Sequence, residues 1–255
     1  MIMTSTLTEP VTPALDRRTA MRLAATEYGR FLDLLRALHS DDWTKPTACA
    51  SWDVRDTAAH SLGMVEMAAS VREQGRQNKA AIARREQRGG LFIDALTGLQ
   101  VDERAEWTPQ QIIDRFAARA PKAAKGRTRA PGFIRRRQLP ALQDVDGRQE
   151  AWTLGYLIDV ILTRDPWMHR VDIVGATGAD LILTADHDGV IVADVVAEWA
   201  ARHGQPYSLR LTGPAGGEWS QGSDGPQLEL DAVEFCRTVS GRAPADGLLK
   251  TQVPF

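Results

Sequence analysis

One stretch, GRQEAWTLGYLIDVILTRDPWMHRVDIVGATG at residues 147–178, limits the folds open to this chain more than any other. Trp152, Leu154, Leu157, Ile158, Ile161 and Leu162 place apolar side chains on more than one face of a helix. A surface helix shows a single apolar stripe, whereas one that is apolar on several faces is enclosed by other helices. The stretch therefore predicts a bundle with this helix on the inside.

Three partner helices are readable. Between Pro13 and His39, Leu15, Met21, Leu23, Tyr28, Phe31, Leu32, Leu34, Leu35 and Leu38 recur near helical spacing. A second helix opens at Asp53 as N-cap, with Asp56 in the capping-box position, and its pattern can be followed to Arg88, where Gly89-Gly90 stops it. A third starts with Thr108 as N-cap and Pro109 in the first helical position. After GATGAD the chain changes character. DLILTA and YSLRLTG read as strands, DGVIVADVVAEWAARHG as a helix closed by Gly204, and DAVEFCRTVSGR as another helix. GLLKTQVPF reads as a last strand or an extended tail. The expected class is α+β: a four-helix bundle over residues 1–178, then a small α/β domain over 179–255.

Charge and cysteine content narrow the function. A net charge of −2 argues against a general polyanion binder. Lys122, Lys125, Arg127, Arg129, Arg135, Arg136 and Arg137 form a basic stretch, but it contains Gly and Pro and only Phe133 among aromatics, so it reads as a solvated connection and not a nucleic-acid contact. Two cysteines, Cys49 and Cys236, make no disulfide framework and fit a reducing compartment. The opening MIMTSTLTEPVTPALDRR lacks the apolar core of a signal peptide, and no apolar run approaches the ~20 residues of a membrane span. A cytoplasmic protein without membrane association is expected.

Five histidines remain to be placed. His39 and His203 fall at helix ends, where the dipole favours a cation, and His187 reads as a turn residue. His60 and His169 differ, because each sits among apolar neighbours: Ala58, Ala59 and Leu62 for one, Trp167, Met168 and Val171 for the other. Asp165 precedes His169 by four residues, hence lies on the same helical face about 5–6 Å away. His60, Asp165 and His169 thus form a possible N/N/O ligand set in a bundle core. Two other readings stand beside it. Asp165-Pro166 is also what an N-cap and first helical position look like, and Asp56 with His60 repeats the same spacing.

CASWDVRDTAAHSLG around His60 and TLGYLIDVILTRDPWMHRVDI around His169 resemble the DinB-like, mycothiol-dependent maleylpyruvate isomerase family. FCRTVSGRAPADGLLKTQVPF resembles the small C-terminal domain often carried by that family. The resemblance spans nearly the whole chain. It implies a DinB-like bundle that holds a divalent metal, usually zinc, through His60, Asp165 and His169. The family pattern has a glutamate where this chain has Asp165. It also implies mycothiol as cosubstrate and a small electrophile of the enedicarbonyl type as substrate. A thiolate adding to the double bond and leaving again would give cis–trans isomerisation; a thiolate that stays would give S-transfer.

Within that frame Asp172 or Asp56 would orient a ligand imidazole, and Trp52 and Trp167 would wall the cavity. Arg242 would hold a carboxylate or the hydroxyls of mycothiol. Cys49 has no neighbouring base in sequence and reads as a small loop or core residue. The assembly expected is a monomer or homodimer. The competing reading is a non-catalytic DinB-like module with a structural metal or a partner-binding role.

Overall fold

The computed structural model describes residues 9–255; residues 1–8, the start of the stretch expected to lack a signal peptide, lie outside the described residues. The first helices are α1 (Arg17–Ala37), α2 (Val54–Ala69), α3 (Val71–Arg88), α4 (Phe92–Asp102), α5 (Pro109–Arg129) and α6 (Gly132–Arg135). Strands β1 (Gln143–Val145) and β2 (Arg148–Glu150) precede α7 (Leu154–Tyr156), a π-helical turn over Leu157–Ile161 and α8 (Leu162–Thr177). The chain ends with α9 (Val190–His203), β3 (Tyr207–Thr212), β4 (Gly217–Gln221), β5 (Gln227–Asp231) and α10 (Ala232–Val239). The class is α+β, as expected. Contacts divide the chain into two interleaved units: Met21–Arg129 with Leu162–Leu183, and the chain up to Ala20 with Ala130–Ile161 and Thr184–Phe255.

The first unit is the bundle. Its core draws Tyr28, Phe31 and Leu35 from α1, Val54 and Leu62 from α2, Ile112 and Phe116 from α5, and Ile173 from α8. Phe31 and Phe116 stack with ring centroids 5.2 Å apart. Glu27 and Arg170, both buried, add a two-pronged ion pair at 2.9 and 3.2 Å that ties α1 to α8.

Local chemistry explains the helix limits. The Asp53 carboxylate accepts from the Asp56 amide at 2.8 Å and caps α2. The helix expected to run on to Arg88 instead breaks at Ser70, whose backbone is extended and whose hydroxyl caps α3 by accepting from Glu73 N–H at 3.3 Å. Thr108 and Gln111 exchange hydrogen bonds at 2.8 and 3.3 Å, a capping box that starts α5. That helix continues through Pro121 to Arg129. Lys122, Lys125, Arg127 and Arg129 therefore lie on a helix, not in a solvated connection, and Arg127 is buried.

Arg127 answers a backbone problem. Pro166 sits inside α8, so Asp165 does not cap a new helix, and the missing N–H leaves the Leu162 carbonyl without its helical donor. Arg127 Nη1 donates to that carbonyl at 2.8 Å and to Tyr28 Oη at 3.0 Å, while Nη2 donates to Thr163 Oγ1 at 2.6 Å.

The second unit holds the sheets. Asp146 and Gly147, both with positive φ, form the tight turn that pairs β1 with β2; residues 148–150, expected to open the long helix, are strand instead. β3 pairs antiparallel with β4 and parallel with β5. Tyr207, Leu209 and Leu211 point to the covered face, where Trp199 of α9 meets Tyr207 at 4.9 Å and Phe235 of α10 at 5.5 Å. Gly204, with φ of 63°, closes α9 as anticipated. DLILTA is not a strand: residues 180–184 pair with none, and a π-helical turn over Ala185–Gly189 follows, held by the Asp188 carboxylate accepting from Thr184 N–H at 2.7 Å. GLLKTQVPF takes a 3-10 turn at Gly247–Lys250 and then runs extended. No helix among the described residues is long and apolar enough to cross a membrane.

Candidate metal centre

His60 enters from α2 and Asp165 and His169 from α8, all within the bundle unit. Asp165 Oδ1 lies 3.3 Å from His60 Nε2 and 3.3 Å from His169 Nε2. The two imidazoles meet edge to face, with centroids 5.2 Å apart. Their donor atoms all fall within 4.8 Å of one another, and no fourth His, Cys, Asp or Glu atom among the described residues joins that set.

Each ring is fixed from behind. His169 Nδ1 lies 3.1 Å from Asp172 Oδ2, and His60 Nδ1 lies 2.8 Å from Gln100 Oε1. Gln100 cannot choose its own orientation. Its Nε2 donates to Gln77 Oε1 at 2.8 Å, and Gln77 Nε2 donates to the Glu73 carboxylate at 2.9 Å. An ionised carboxylate only accepts, so Glu73 sets the direction of both amides and leaves Gln100 Oε1 as the acceptor for His60 Nδ1–H. His60 Nε2 is then a lone pair aimed at Asp165. Gly63 makes this approach possible, because a Cβ there would stand 2.5 Å from Gln100 Cγ.

Burial opposes charge on Asp165, but the facing His169 and His60 outweigh it and hold the carboxyl well below its usual range. Burial likewise opposes charge on His169, yet the Asp165 charge, with the hydrogen bonds that the ring makes to Asp165 and Asp172 and its contact with Cys49, raises it well above 6.5. Two ring nitrogens converging on one carboxylate oxygen need a cation between them or a proton on one of them. Buried Nε2, Nε2 and carboxylate donors, with both Nδ1 atoms occupied by acceptors, fit a borderline-soft divalent ion such as zinc.

Several sequence candidates fall into place around this set, and others do not. Trp52 covers it, with its ring 5.1 Å from His60 and 6.1 Å from His169. Trp167 is fully buried on α8. Asp172 takes the orienting position, whereas Asp56 stands in the first turn of α2 beside its cap Asp53. Arg242 belongs to the second unit, in the turn after α10, where its N–H donates to Arg237 O at 2.8 Å. His39, His187 and His203 lie outside the set. Cys49 is the surprise: its thiol is 3.7 Å from His169 Nδ1 and 3.4 Å from Asp172 Oδ2, on the side of the ring away from Asp165. Gln100 is the second residue missed, since α4 itself carries no evident signal in sequence.

The comparisons agree with this architecture. Residues 24–174 match the family described as the mycothiol maleylpyruvate isomerase N-terminal domain. Crystal structures of the mycothiol-dependent maleylpyruvate isomerase and of a mutant of it superpose with a TM-score of 0.55, at 15% and 14% identity, over 91% of this chain and 93% of theirs. At that identity the likeness concerns the fold. No curated protein matches the sequence.

Proposed function

Because this chain belongs to the family of the mycothiol maleylpyruvate isomerase N-terminal domain, we propose that it is a mycothiol-using enzyme with one divalent ion, zinc by preference, held by His60, Asp165 and His169. The observation that carries this reading is the convergence of both Nε2 atoms on Asp165 Oδ1 with each Nδ1 already engaged. Among the described residues the set stops at three donors, which would leave an ion held there an open coordination position of the kind catalytic zinc sites keep.

When bound, the ion supplies a Lewis acid that lowers the pKa of a thiol toward or below neutrality. The protein does the rest. Asp172 and Gln100 keep both Nδ1 protons in place, so neither ring can turn or swap tautomer. Asp165 contributes the negative charge, and Trp52 shields the imidazoles from water. The reaction class is reversible addition of the thiolate to an electrophilic double bond of the enedicarbonyl type. Loss of the thiolate after bond rotation gives the trans isomer; retention of the adduct gives S-transfer. Asp165 in place of glutamate is one methylene shorter, which draws the site toward α8. We place the protein in the cytoplasm, in keeping with its having only two cysteines, Cys49 and Cys236, and the domain boundary near Gly178, just past α8 and the end of the family match.

Elemental analysis combined with calorimetry tests the proposal. The purified chain should hold one zinc, His169→Ala should lose it, and mycothiol should bind the zinc-loaded protein with release of a proton, seen in two buffers of different ionisation enthalpy. Stoichiometric metal that survives His169→Ala rules out the ligand set. Metal binding with no heat from mycothiol rules out the cosubstrate.

A further inference from the structure

A polar cavity lies in the bundle unit, and none of the three donors lines it. It measures about 340 Å³ and is bordered by the first turn of α3, the end of α2 and one face of α5. Four guanidinium groups line it, Arg72, Arg76, Arg115 and Arg119, against two carboxylates, Glu66 and Glu73. The chain as a whole carries a net charge of −2, so this concentration of positive charge is local.

The pairing inside the cavity is uneven. Glu66 alone serves three cations: Arg104, Arg115 at 2.5 Å and Arg119 at 3.9 Å. Arg76 has two carboxylates, Glu73 at 2.7 Å and Glu103 at 2.6 Å. Arg72 has no ion-pair partner among the described residues, and Arg119 has only its long contact to Glu66. Two positive charges are left over in a recess large enough for a small organic acid. Guanidinium groups pair in a planar, two-pronged way with carboxylate and phosphate-type oxygens, and the N-terminal turn of an 18-residue helix adds its positive end.

We propose that this cavity binds a small, doubly charged oxyanion, and that its occupancy is felt at His60. The link is the buried relay that starts in the cavity. Arg76 holds Glu73, Glu73 orients Gln77, Gln77 orients Gln100, and Gln100 accepts from His60 Nδ1. An anion drawn to Arg76 competes with Glu73 for the same guanidinium, so Glu73 cannot keep its position unchanged. The inference rests on hydrogen bonds within the protein and not on the identity of any metal or thiol.

Sulfate and succinate, titrated at constant ionic strength into the full chain by calorimetry, test the site. Saturable one-to-one binding of either is expected, weakened at least tenfold in the Arg72→Gln/Arg119→Gln double variant, which leaves the close Glu66 pairs with Arg104 and Arg115 in place and whose melting temperature checks that it folds. Preference for sulfate would mark a tetrahedral oxyanion, and preference for succinate a dicarboxylate. No saturable binding of either probe, or equal binding by the double variant, overturns the site. For the link, the ¹⁵N shifts of the His60 ring in metal-free protein should move in step with occupancy. Saturable binding that leaves those shifts unmoved overturns the coupling.

Discussion

Without an ion, Asp165 keeps its charge against burial because His169 and His60 face it, and His169 keeps its proton against burial because the Asp165 charge faces it. The His169 value is raised on folding, so its contribution to stability is complete below its ordinary 6.5 and fades as pH rises through the higher folded value. Asp165 is depressed, so its contribution is complete above its ordinary 3.8 and fades only as pH falls through the far lower folded value. The metal-free pair thus stabilises most between 3.8 and 6.5. A zinc ion needs His169 neutral, and affinity should therefore rise about tenfold per pH unit until the folded value is passed. Zinc competition titrations at pH 6, 7 and 8 measure the slope; a flat profile contradicts the ligand role of His169. Asp172→Asn, which removes the charge behind His169, should weaken zinc about tenfold with little change in melting temperature. An unchanged zinc affinity would reduce Asp172 to packing. His60, Asp165 and His169 were readable because helical spacing and apolar neighbours are local properties of a sequence. Cys49 and Gln100 were not, since they reach the site across 120 and 40 residues and neither sits in a pattern that marks it beforehand.

Helices announce their starts in this chain more clearly than their interruptions. Asp53 and Thr108 cap helices as their side chains predict, because capping is settled within three residues. Ser70 was hidden inside a continuous helical pattern, and Pro121 and Pro166 are tolerated where a sequence reader expects a stop. What decides such cases is a distant partner. Arg127→Met should cost roughly 2–4 kcal/mol, since it strips the Leu162 carbonyl and Thr163 of a charged donor. In a Pro166→Ala background the helix can supply its own N–H to Leu162, and the loss should shrink by about 1 kcal/mol or more in a double-mutant cycle. Additive losses would mean that Arg127 acts elsewhere. Gly63→Ala is a second case: its Cβ would meet Gln100 Cγ at 2.5 Å, and overpacking there should cost roughly 1–3 kcal/mol and also weaken zinc. Gly29→Ala meets nothing within 4 Å and should gain about 0.4–1 kcal/mol. Urea midpoints of the two variants should move in opposite directions.

For the whole chain, the family match, the bundle and the α+β class were legible because long amphipathic patterns survive wherever the chain later wanders. The interleaving of units was not, since it depends on which segments meet. Ala130–Ile161 is joined to the C-terminal part by Tyr156 Oη donating to Glu198 at 2.8 Å and by Arg202 donating to Glu150 at 2.5 Å. A chain cut after Gly178 should keep zinc and most of its helical circular dichroism, but trypsin should cleave at Arg136, Arg137 or Arg148 at least tenfold faster. Equal protection of that segment in the cut and full chains would show that it needs no C-terminal partner.

That threading also sets an order of events on the ribosome. Every residue of the bundle unit, including all three metal donors, has been made once Leu183 is added. The other unit already has Ala130–Ile161 in hand and must wait for Thr184–Phe255, several seconds at ~5–20 residues per second. During that interval the nascent chain can bring His60, Asp165 and His169 together while Tyr156 and Glu150 still await Glu198 and Arg202. A nascent polypeptide of this kind carries one unit whose chain is complete and one whose chain is not, and the incomplete unit is where a chaperone would find it.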